Sequence, residues 1–174
     1  MITVDFLKYH QNAIPRLAQI WHNVLGRIWV PDVSIERVEQ RFVDHLNDDK
    51  IPLTLVALYE DKPVGMCSLR ENDGIRPDLM PWLGSLVVDP DYQKQGIGQL
   101  LIDATKQKAE QLGFAKLFLF AFDPTIPDYY ERLGWQKVGV DQLKGHRVTV
   151  MEISLDPNKS GLTQPPNLFV KKCI

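Results

Sequence analysis

The stretch VVDPDYQKQGIGQLL, residues 87 to 101, decides how this chain of 174 residues is interpreted. A strand-like apolar run ends at Asp89-Pro90, a polar loop follows, and Gly96 and Gly98 precede an amphipathic helical pattern. The first N–H groups of a helix lack intrahelical partners and carry partial positive charge, so they bind anions. Glycines let a phosphate approach these groups without interference from a Cβ atom. The stretch therefore predicts a loop that binds a phosphate or pyrophosphate through main-chain amides.

Two common phosphate-binding loops do not fit this stretch. The dinucleotide-binding fingerprint needs a third glycine, but that position is Leu101. The P-loop needs Gly-Lys followed by Ser or Thr, which the chain lacks. What remains is a Gln-x-x-Gly-x-Gly pattern that begins at Gln93. At this point a strand–helix turn in which glycine only relieves strain is an equal alternative.

Apolar periodicity along the chain predicts an α+β protein. Helical spacing covers residues 14–28, 35–46, 97–112 and 127–133, with Ser34 as an N-cap and Gly113 as a C-cap. Strand-forming runs cover residues 2–8, 53–59, 64–69, 82–88, 117–122, 136–140 and 148–155. Most neighbouring strands are expected to pair antiparallel, whereas the strand–helix–strand crossover from Trp82 to Phe122 is expected to be parallel and right-handed. We therefore predict a mixed, mostly antiparallel central sheet with helices on both faces and a splayed parallel strand pair.

Composition and charge exclude several classes of protein. The formal net charge is −2, without the basic excess of a nucleic-acid-binding protein. No run approaches the roughly 20 apolar residues of a membrane span, and no signal peptide is visible, so we expect a cytoplasmic protein. Cys67 and Cys173 have no metal-ligand spacing, so no metal site is expected. We expect a single domain over residues 1–155 and an extension over 156–174, either a linker or an arm that packs on a partner, which leaves a homodimer open.

Two segments together resemble the GCN5-related N-acetyltransferases (GNAT). VVDPDYQKQGIGQLLIDATKQKAEQLG, residues 87–113, is similar to the family's coenzyme A-binding signature, Q/R-x-x-G-x-G/A. YYERLGW, residues 129–135, resembles its later aromatic motif, and KLFLFAF, residues 116–122, matches its fifth strand. The resemblance covers roughly residues 53–155. It implies the acyl-CoA N-acyltransferase fold, with acetyl-CoA as cosubstrate in a V-shaped opening between the fourth and fifth strands.

The same resemblance implies the residues that hold the cosubstrate. The pyrophosphate would lie on the amides of residues 93–98, the pantetheine arm on the backbone of residues 86–88, and Asp123 would help to orient the molecule. Many relatives have Arg where this chain has Gln93, so more of the charge neutralisation falls on the helix end and Lys94. The candidate cofactor-binding residues are Leu86, Val87, Val88, Gln93, Lys94, Gln95, Gly96, Ile97, Gly98, Gln99 and Asp123.

Acetyl transfer from a thioester to an amine needs a neutral amine, donors for the developing oxyanion and an acid for the leaving thiolate. Tyr130 occupies the family's usual tyrosine position, and a phenol with a pKa of about 10 stays protonated at neutral pH. The resemblance also implies the N–H of Val88 as the oxyanion donor. Glu71, Asp73 and His146 are secondary candidates for the base, and the proton can equally leave through ordered water.

We therefore predict an N-acetyltransferase that transfers acetyl from acetyl-CoA to a primary amine of a small molecule. Acceptor specificity is expected from the first two helices and from the segments 70–82 and 140–148. There Glu71, Asp73 and Asp78 are expected to attract a cationic amine. The alternatives are a non-catalytic acyl-CoA-binding module and an acetyltransferase for protein N-termini or lysines.

Overall fold

The sheet of this protein is mixed, with one parallel pair. The computed structural model describes residues 1–122 and 124–157, and within them seven strands form one sheet in the order β1-β2-β3-β4-β5-β7-β6. The strands are β1 (Ile2–Phe6), β2 (Leu53–Tyr59), β3 (Lys62–Arg70), β4 (Trp82–Val88), β5 (Lys116–Ala121), β6 (Gln136–Leu143) and β7 (His146–Ser154). Neighbouring strands pair antiparallel except β4 and β5, which are parallel. The predicted fold class is confirmed.

Helices cover both faces of this sheet. On one face, α1 (Ile14–Trp21) continues through a π-helical turn, His22–Gly26, into α2 (Arg27–Trp29), and α1 packs beside α3 (Ile35–Val43). On the other face lie α4 (Ile97–Gln111) and α5 (Ile126–Arg132). The buried residues of β2 show the two layers, because Leu55 and Ala57 join the core under α4 whereas Val56 and Leu58 join the core under α1 and α3.

Local signals account for most of the element boundaries. Ser34 caps α3, since its Oγ accepts a hydrogen bond from the N–H of Arg37 at 3.3 Å. Gly113, with φ of 89°, follows the end of α4 as predicted. The predicted loop between the last two strands is mostly strand instead, because Lys144 and Gly145 (φ of 49° and 81°) form the whole turn. Positive φ at both central positions suits a two-residue hairpin turn. Lys-Gly is not among the residue pairs that most strongly predict such a turn, so the sequence indicated this hairpin only weakly.

The parallel pair separates almost at once. β4 and β5 share a single registered pair, Trp82 with Phe118. Beyond it β4 pairs with β3, and β5 pairs along its length with β7. A bulge in β4 at Ser85, φ 51°, interrupts the register with β3 near Cys67. Because each strand is held by a different neighbour, the two diverge toward their carboxyl ends and open the predicted cleft.

Several expectations fall on residues that the structure does not describe. Asp123, Cys173 and all of the extension beyond Pro157 lie outside the described residues, so the division at residue 155 stays a prediction. Among the described residues, no helix is both long and apolar enough to cross a membrane. Within the same residues, no cluster of His, Cys, Asp and Glu has the arrangement of a metal site.

Candidate active site

The loop before α4 has main-chain amide groups without hydrogen-bond partners among the described residues. Lys94 and Gly96 both have positive φ, 61° and 80°, which folds the loop tightly ahead of the helix. The first helical bond runs from the N–H of Leu100 to the carbonyl of Gly96 at 3.1 Å. Within residues 1–122 and 124–157, no hydrogen bond engages the amide N–H groups of residues 94–98. The predicted set of free main-chain donors is therefore present at the helix N-terminus.

Asp89 anchors this loop to the rest of the protein. Its carboxylate accepts a hydrogen bond from the N–H of Asp91 at 3.1 Å and forms an ion pair with Arg16 of α1. Its own N–H donates to the carbonyl of Val64 at 2.8 Å, and its side chain is only 5% exposed. The side chain of Gln93 donates to the carbonyl of Val88 at 3.1 Å. Sequence reasoning missed the anchor because Arg16 is distant along the chain.

The loop borders a cavity of about 560 Å³, here called the loop cavity. Its walls come from β4, the loop, the start of α4 and the residues of α5. Every predicted cofactor-binding residue lines it except Gln95, which is exposed, and Asp123, which lies outside the described residues. The residues that line the loop cavity are Val24, Leu86, Val87, Val88, Tyr92, Gln93, Lys94, Gly96, Ile97, Gly98, Gln99, Ile126, Tyr129 and Tyr130.

A second cavity of about 400 Å³, here called the aromatic cavity, lies across the opening between β4 and β5. Trp21 and Trp29 line it from the first helical segment, and Phe120 and Phe122 line it from β5 and beyond. Its charged lining residues are Arg41, Arg70, Asp73 and Lys144. Leu86, Ile126 and Tyr130 line both cavities, so the two meet at these side chains.

Tyr130 is a buried phenol at this junction. The residue is 7% exposed, and its ring packs edge-on against Tyr129 and Trp135, with centroid distances of 5.4 and 5.7 Å. Burial, and to a smaller extent Cys67 and Tyr129, raise the pKa of Tyr130 well above its usual value. The hydroxyl group therefore stays protonated at neutral pH and is available as a proton donor.

A polar network fixes Arg70 in the wall of the aromatic cavity. Its guanidinium donates to Asp73 at 2.6 Å and to the hydroxyl of Ser85 at 3.3 Å. The indole N–H of Trp21 reaches the same hydroxyl at 3.2 Å. A Cβ atom on Gly84 would lie 2.1 Å from the guanidinium, so this glycine makes room for it. The Nε–H of Arg70 is buried without a hydrogen-bond partner among the described residues.

The candidates for a base occupy different surroundings. Glu71 is exposed and lines neither cavity. His146 packs edge-on against Trp29 and Phe122, at centroid distances of 5.1 and 5.5 Å, beside the aromatic cavity. Asp73 lines that cavity with a side chain 9% exposed, and burial raises the pKa of this carboxyl group.

Two of the three acidic side chains expected to attract a cationic amine are engaged in ion pairs. Asp73 is paired with Arg70, and Asp78 is paired with Arg76 at 2.8 Å. Arg41 and Arg70, which sequence reasoning did not select, bring positive charge into the cavity instead. They lie on α3 and at the end of β3, so no local pattern in the sequence brings them together.

The geometry is that of a mixed sheet that opens between two parallel strands, with unpartnered main-chain amides at one end of the opening. The family model described as "Acetyltransferase (GNAT) family" matches residues 18–135. The chain belongs to this family, whose members are N-acetyltransferases.

Solved structures agree on the fold. The chain is similar to the ribosomal-protein-S18-alanine N-acetyltransferase from Escherichia coli, with 20% identity, a TM-score of 0.64 and coverage of 98% of this chain and 100% of that one. It is similar to N-acetylglutamate synthase from Neisseria gonorrhoeae, complexed with coenzyme A and N-acetyl-glutamate, with 17% identity, a TM-score of 0.67 and coverage of 89% and 35%. An acetyltransferase from Bacillus anthracis in complex with acetyl coenzyme A is 20% identical, with a TM-score of 0.56 and coverage of 66% and 68%. A sequence search among curated proteins finds no match.

Proposed function

We propose that this protein transfers the acetyl group of acetyl-CoA to a primary amine of a small molecule, by direct attack in a ternary complex. One observation carries the proposal: Tyr130 lies where the loop cavity and the aromatic cavity meet. A ligand held by the loop and a second ligand held by the aromatic side chains would meet at this hydroxyl group. Two substrates brought together in fixed geometry react as if at a very high local concentration.

The loop cavity fits a molecule with a diphosphate and an amide-bearing arm. The free amides of residues 94–98 and the positive end of α4 suit a diphosphate, with Lys94 as a flanking cation. Past Trp82, the edge of β4 that faces β5 has no partner strand among the described residues. Apart from the Val88 carbonyl, which accepts from Gln93, the backbone of Leu86 to Val88 therefore suits pairing with the amides of pantetheine. Acetyl-CoA would supply the reactive thioester.

The protein's part in the chemistry is to move protons and to stabilise charge. Tyr130 donates its proton to the sulfur as the C–S bond breaks, and the N–H of Val88 donates to the carbonyl oxygen. The amine nitrogen forms the new C–N bond and releases a proton to water or to Asp73, whose raised pKa makes it a better proton acceptor than an exposed carboxylate. Of the three candidates for the base, Asp73 is the one we propose for this step.

The size of the aromatic cavity favours a small acceptor over a protein. A volume of about 400 Å³ is in the usual range of small-molecule sites. The similar structures name both kinds of acceptor, since one acts on a ribosomal protein and another was solved with N-acetyl-glutamate. A peptide substrate would need an open groove, whereas Trp29 and Leu143 wall this cavity.

The test begins with calorimetric titration of acetyl-CoA, followed by a thiol-release assay over a panel of amines and peptides. We expect saturable binding, then release of coenzyme A that depends on a small amine. Absence of acetyl-CoA binding would overturn the proposal. Binding without turnover on any amine would identify a non-catalytic module, and turnover on peptides alone would identify a protein acetyltransferase.

A further inference from the structure

The aromatic cavity carries more positive than negative charge. Arg41, Arg70 and Lys144 line it and Asp73 is its one acidic lining residue among those described, so three positive charges and one negative charge leave a surplus of two. Burial is the main cause that lowers the pKa of Arg41, and the positive charge of Arg70 is the second cause, so the two side chains lie close together. Like charges held together in a partly desolvated site are costly without a counterion.

Arg70 is held ready for such a counterion. Asp73 and Ser85 both engage its Nη2, and the absence of a side chain at Gly84 lets the guanidinium lie against β4. The Nε–H is buried and unpartnered among the described residues. A planar guanidinium matches the geometry of a carboxylate, and a side chain that is already held in place loses little entropy on binding.

Arg41 is positioned by a contact with the ring of Trp21. This residue of α3 is half-buried, with its guanidinium 5.5 Å from the ring centroid of Trp21, and Trp21 is tied to Ser85. Both arginines are therefore connected to the same point of β4, next to the junction at Leu86. Gly84 and Leu86 are two residues apart on the strand, which corresponds to roughly 7 Å. A carboxylate bound at Arg70 would therefore lie near the junction, as an α-amino acid requires, because a single carbon separates its amine from its carboxylate.

From this arrangement we infer that the acceptor is a small amine that also carries a carboxylate, an amino acid with an apolar or aromatic body rather than a polycationic amine. Arg41 and Arg70 bind the carboxylate, and the rings of Trp29, Phe120 and Phe122 contact the body of the molecule. This inference rests on the proposed acetyl transfer and narrows its substrate class.

The test compares carboxylates with matched compounds that lack the charge. Wild-type protein and acetyl-CoA are assayed by thiol release with L-phenylalanine, L-leucine and L-glutamate, with the amide and the decarboxylated amine of each, and with O-phosphoethanolamine. At least one amino acid should have a kcat/KM roughly tenfold or more above its amide. An amide or decarboxylated amine that reacts equally well, or a preference for phosphoethanolamine, would overturn the inference while leaving acetyl transfer intact.

A pair of variants on one helix tests the residues. Arg41→Gln should remove most of the preference for the carboxylate, chiefly through KM, whereas Arg37→Gln, an exposed neighbour on α3 that lines neither cavity, should not. Equal preferences in both variants would exclude Arg41 from carboxylate binding.

Titration keeps the inference testable if no amine reacts or a variant fails to fold. Wild-type protein, with and without coenzyme A, is titrated with each amino acid and its amide. Tighter binding of an acid supports the carboxylate site even if acetyl transfer fails. Equal binding, or none, overturns it.

Discussion

Tyr130 belongs both to the core and to the walls of the two cavities. It is part of the core shared with α4, and it lines the loop cavity and the aromatic cavity. Its neighbour Tyr129 lines only the loop cavity and is 39% exposed. The pair therefore offers the same chemical change at two adjacent positions, only one of them at the junction.

We expect Tyr130→Phe to lower turnover more than tenfold, a loss of about 1.4 kcal/mol or more of transition-state stabilisation. Affinity for acetyl-CoA should change little, because the ring contacts with Tyr129 and Trp135 are kept. Steady-state kinetics and titration calorimetry measure the two quantities, with Tyr129→Phe as the control. Wild-type turnover in Tyr130→Phe would remove this residue from the mechanism.

Among the elements, α4 has a glycine at each end, and the two glycines lie in different surroundings. Gly98 lies in its first turn and lines the loop cavity, and a Cβ added there meets no protein atom within 4 Å. Gly113 follows its last turn at φ 89°, also with free space around a Cβ. We therefore propose that the two glycines serve different needs, Gly98 the approach of a ligand and Gly113 the left-handed backbone conformation.

Opposite effects are expected when each glycine becomes alanine. Gly98→Ala should keep or slightly raise the free energy of unfolding but weaken acetyl-CoA binding roughly tenfold or more, because the new methyl group occupies the ligand's space. Gly113→Ala should cost about 1–2 kcal/mol of stability through its left-handed backbone, with unchanged affinity. Urea denaturation and calorimetry test both. Wild-type affinity in Gly98→Ala would mean that the loop is only a turn.

The strand β4 allows a similar test of the aromatic cavity. Gly84→Ala would place a Cβ atom 2.1 Å from the guanidinium of Arg70, so this guanidinium would have to move. In Gly139→Ala, on β6, the new Cβ atom would contact only Arg76, at 3.9 Å. We expect Gly84→Ala to raise the acceptor's KM about tenfold while leaving acetyl-CoA affinity unchanged. Gly139→Ala should change neither. An unaltered acceptor KM in Gly84→Ala would show that the position of Arg70 does not matter for binding.

At the element scale, the sequence predicted features that depend on residues close together in the chain and missed features that depend on residues far apart in the chain. The start of α4, the cap at Ser34 and the short helix that carries Tyr130 all depend on residues close together in the chain, and each of these elements lies where the pattern predicted. The charge of the aromatic cavity depends on Arg41 and Arg70, which only the folded sheet brings together. The sequence therefore predicted acidic side chains in this region. In the structure, Asp73 is paired with Arg70, and the charged residues that line the aromatic cavity carry a positive surplus.

The whole molecule consists of two sheet halves joined at one point. β1 to β4 form one antiparallel set and β5 to β7 another, and the single pair Trp82–Phe118 connects them. The π-helical turn and α2 bridge the gap on one face, since Trp29 packs edge-on against Phe120 at 5.6 Å. The opening therefore follows from the topology, and both cavities lie along it.

A chain of buried polar side chains links the turn that follows α3 to the first half of the sheet. This chain makes the stability of the protein depend on pH. The ring of His45 contacts the hydroxyl of Thr54 at 3.0 Å, which contacts the hydroxyl of Ser68 at 2.7 Å. Burial, followed by the charge of Arg70, lowers the pKa of His45 to about 4. The unfolded chain binds this proton near the ordinary value of about 6.5. Stability from neutral His45 is thus fully present above pH 6.5 and is lost as the pH falls toward 4.

We expect the free energy of unfolding of the wild-type protein to fall between pH 7 and pH 4 by on the order of 3 kcal/mol more than that of His45→Gln. Glutamine keeps a polar group for Thr54 but cannot take up a proton, so the variant loses stability at neutral pH while its pH dependence becomes flatter. Urea denaturation across this range gives both quantities, with His22→Gln, at a half-buried position of the π-helical turn, as the control. Parallel pH profiles for the wild type and His45→Gln would show that protonation of this histidine does not limit the stability of the folded molecule in acid.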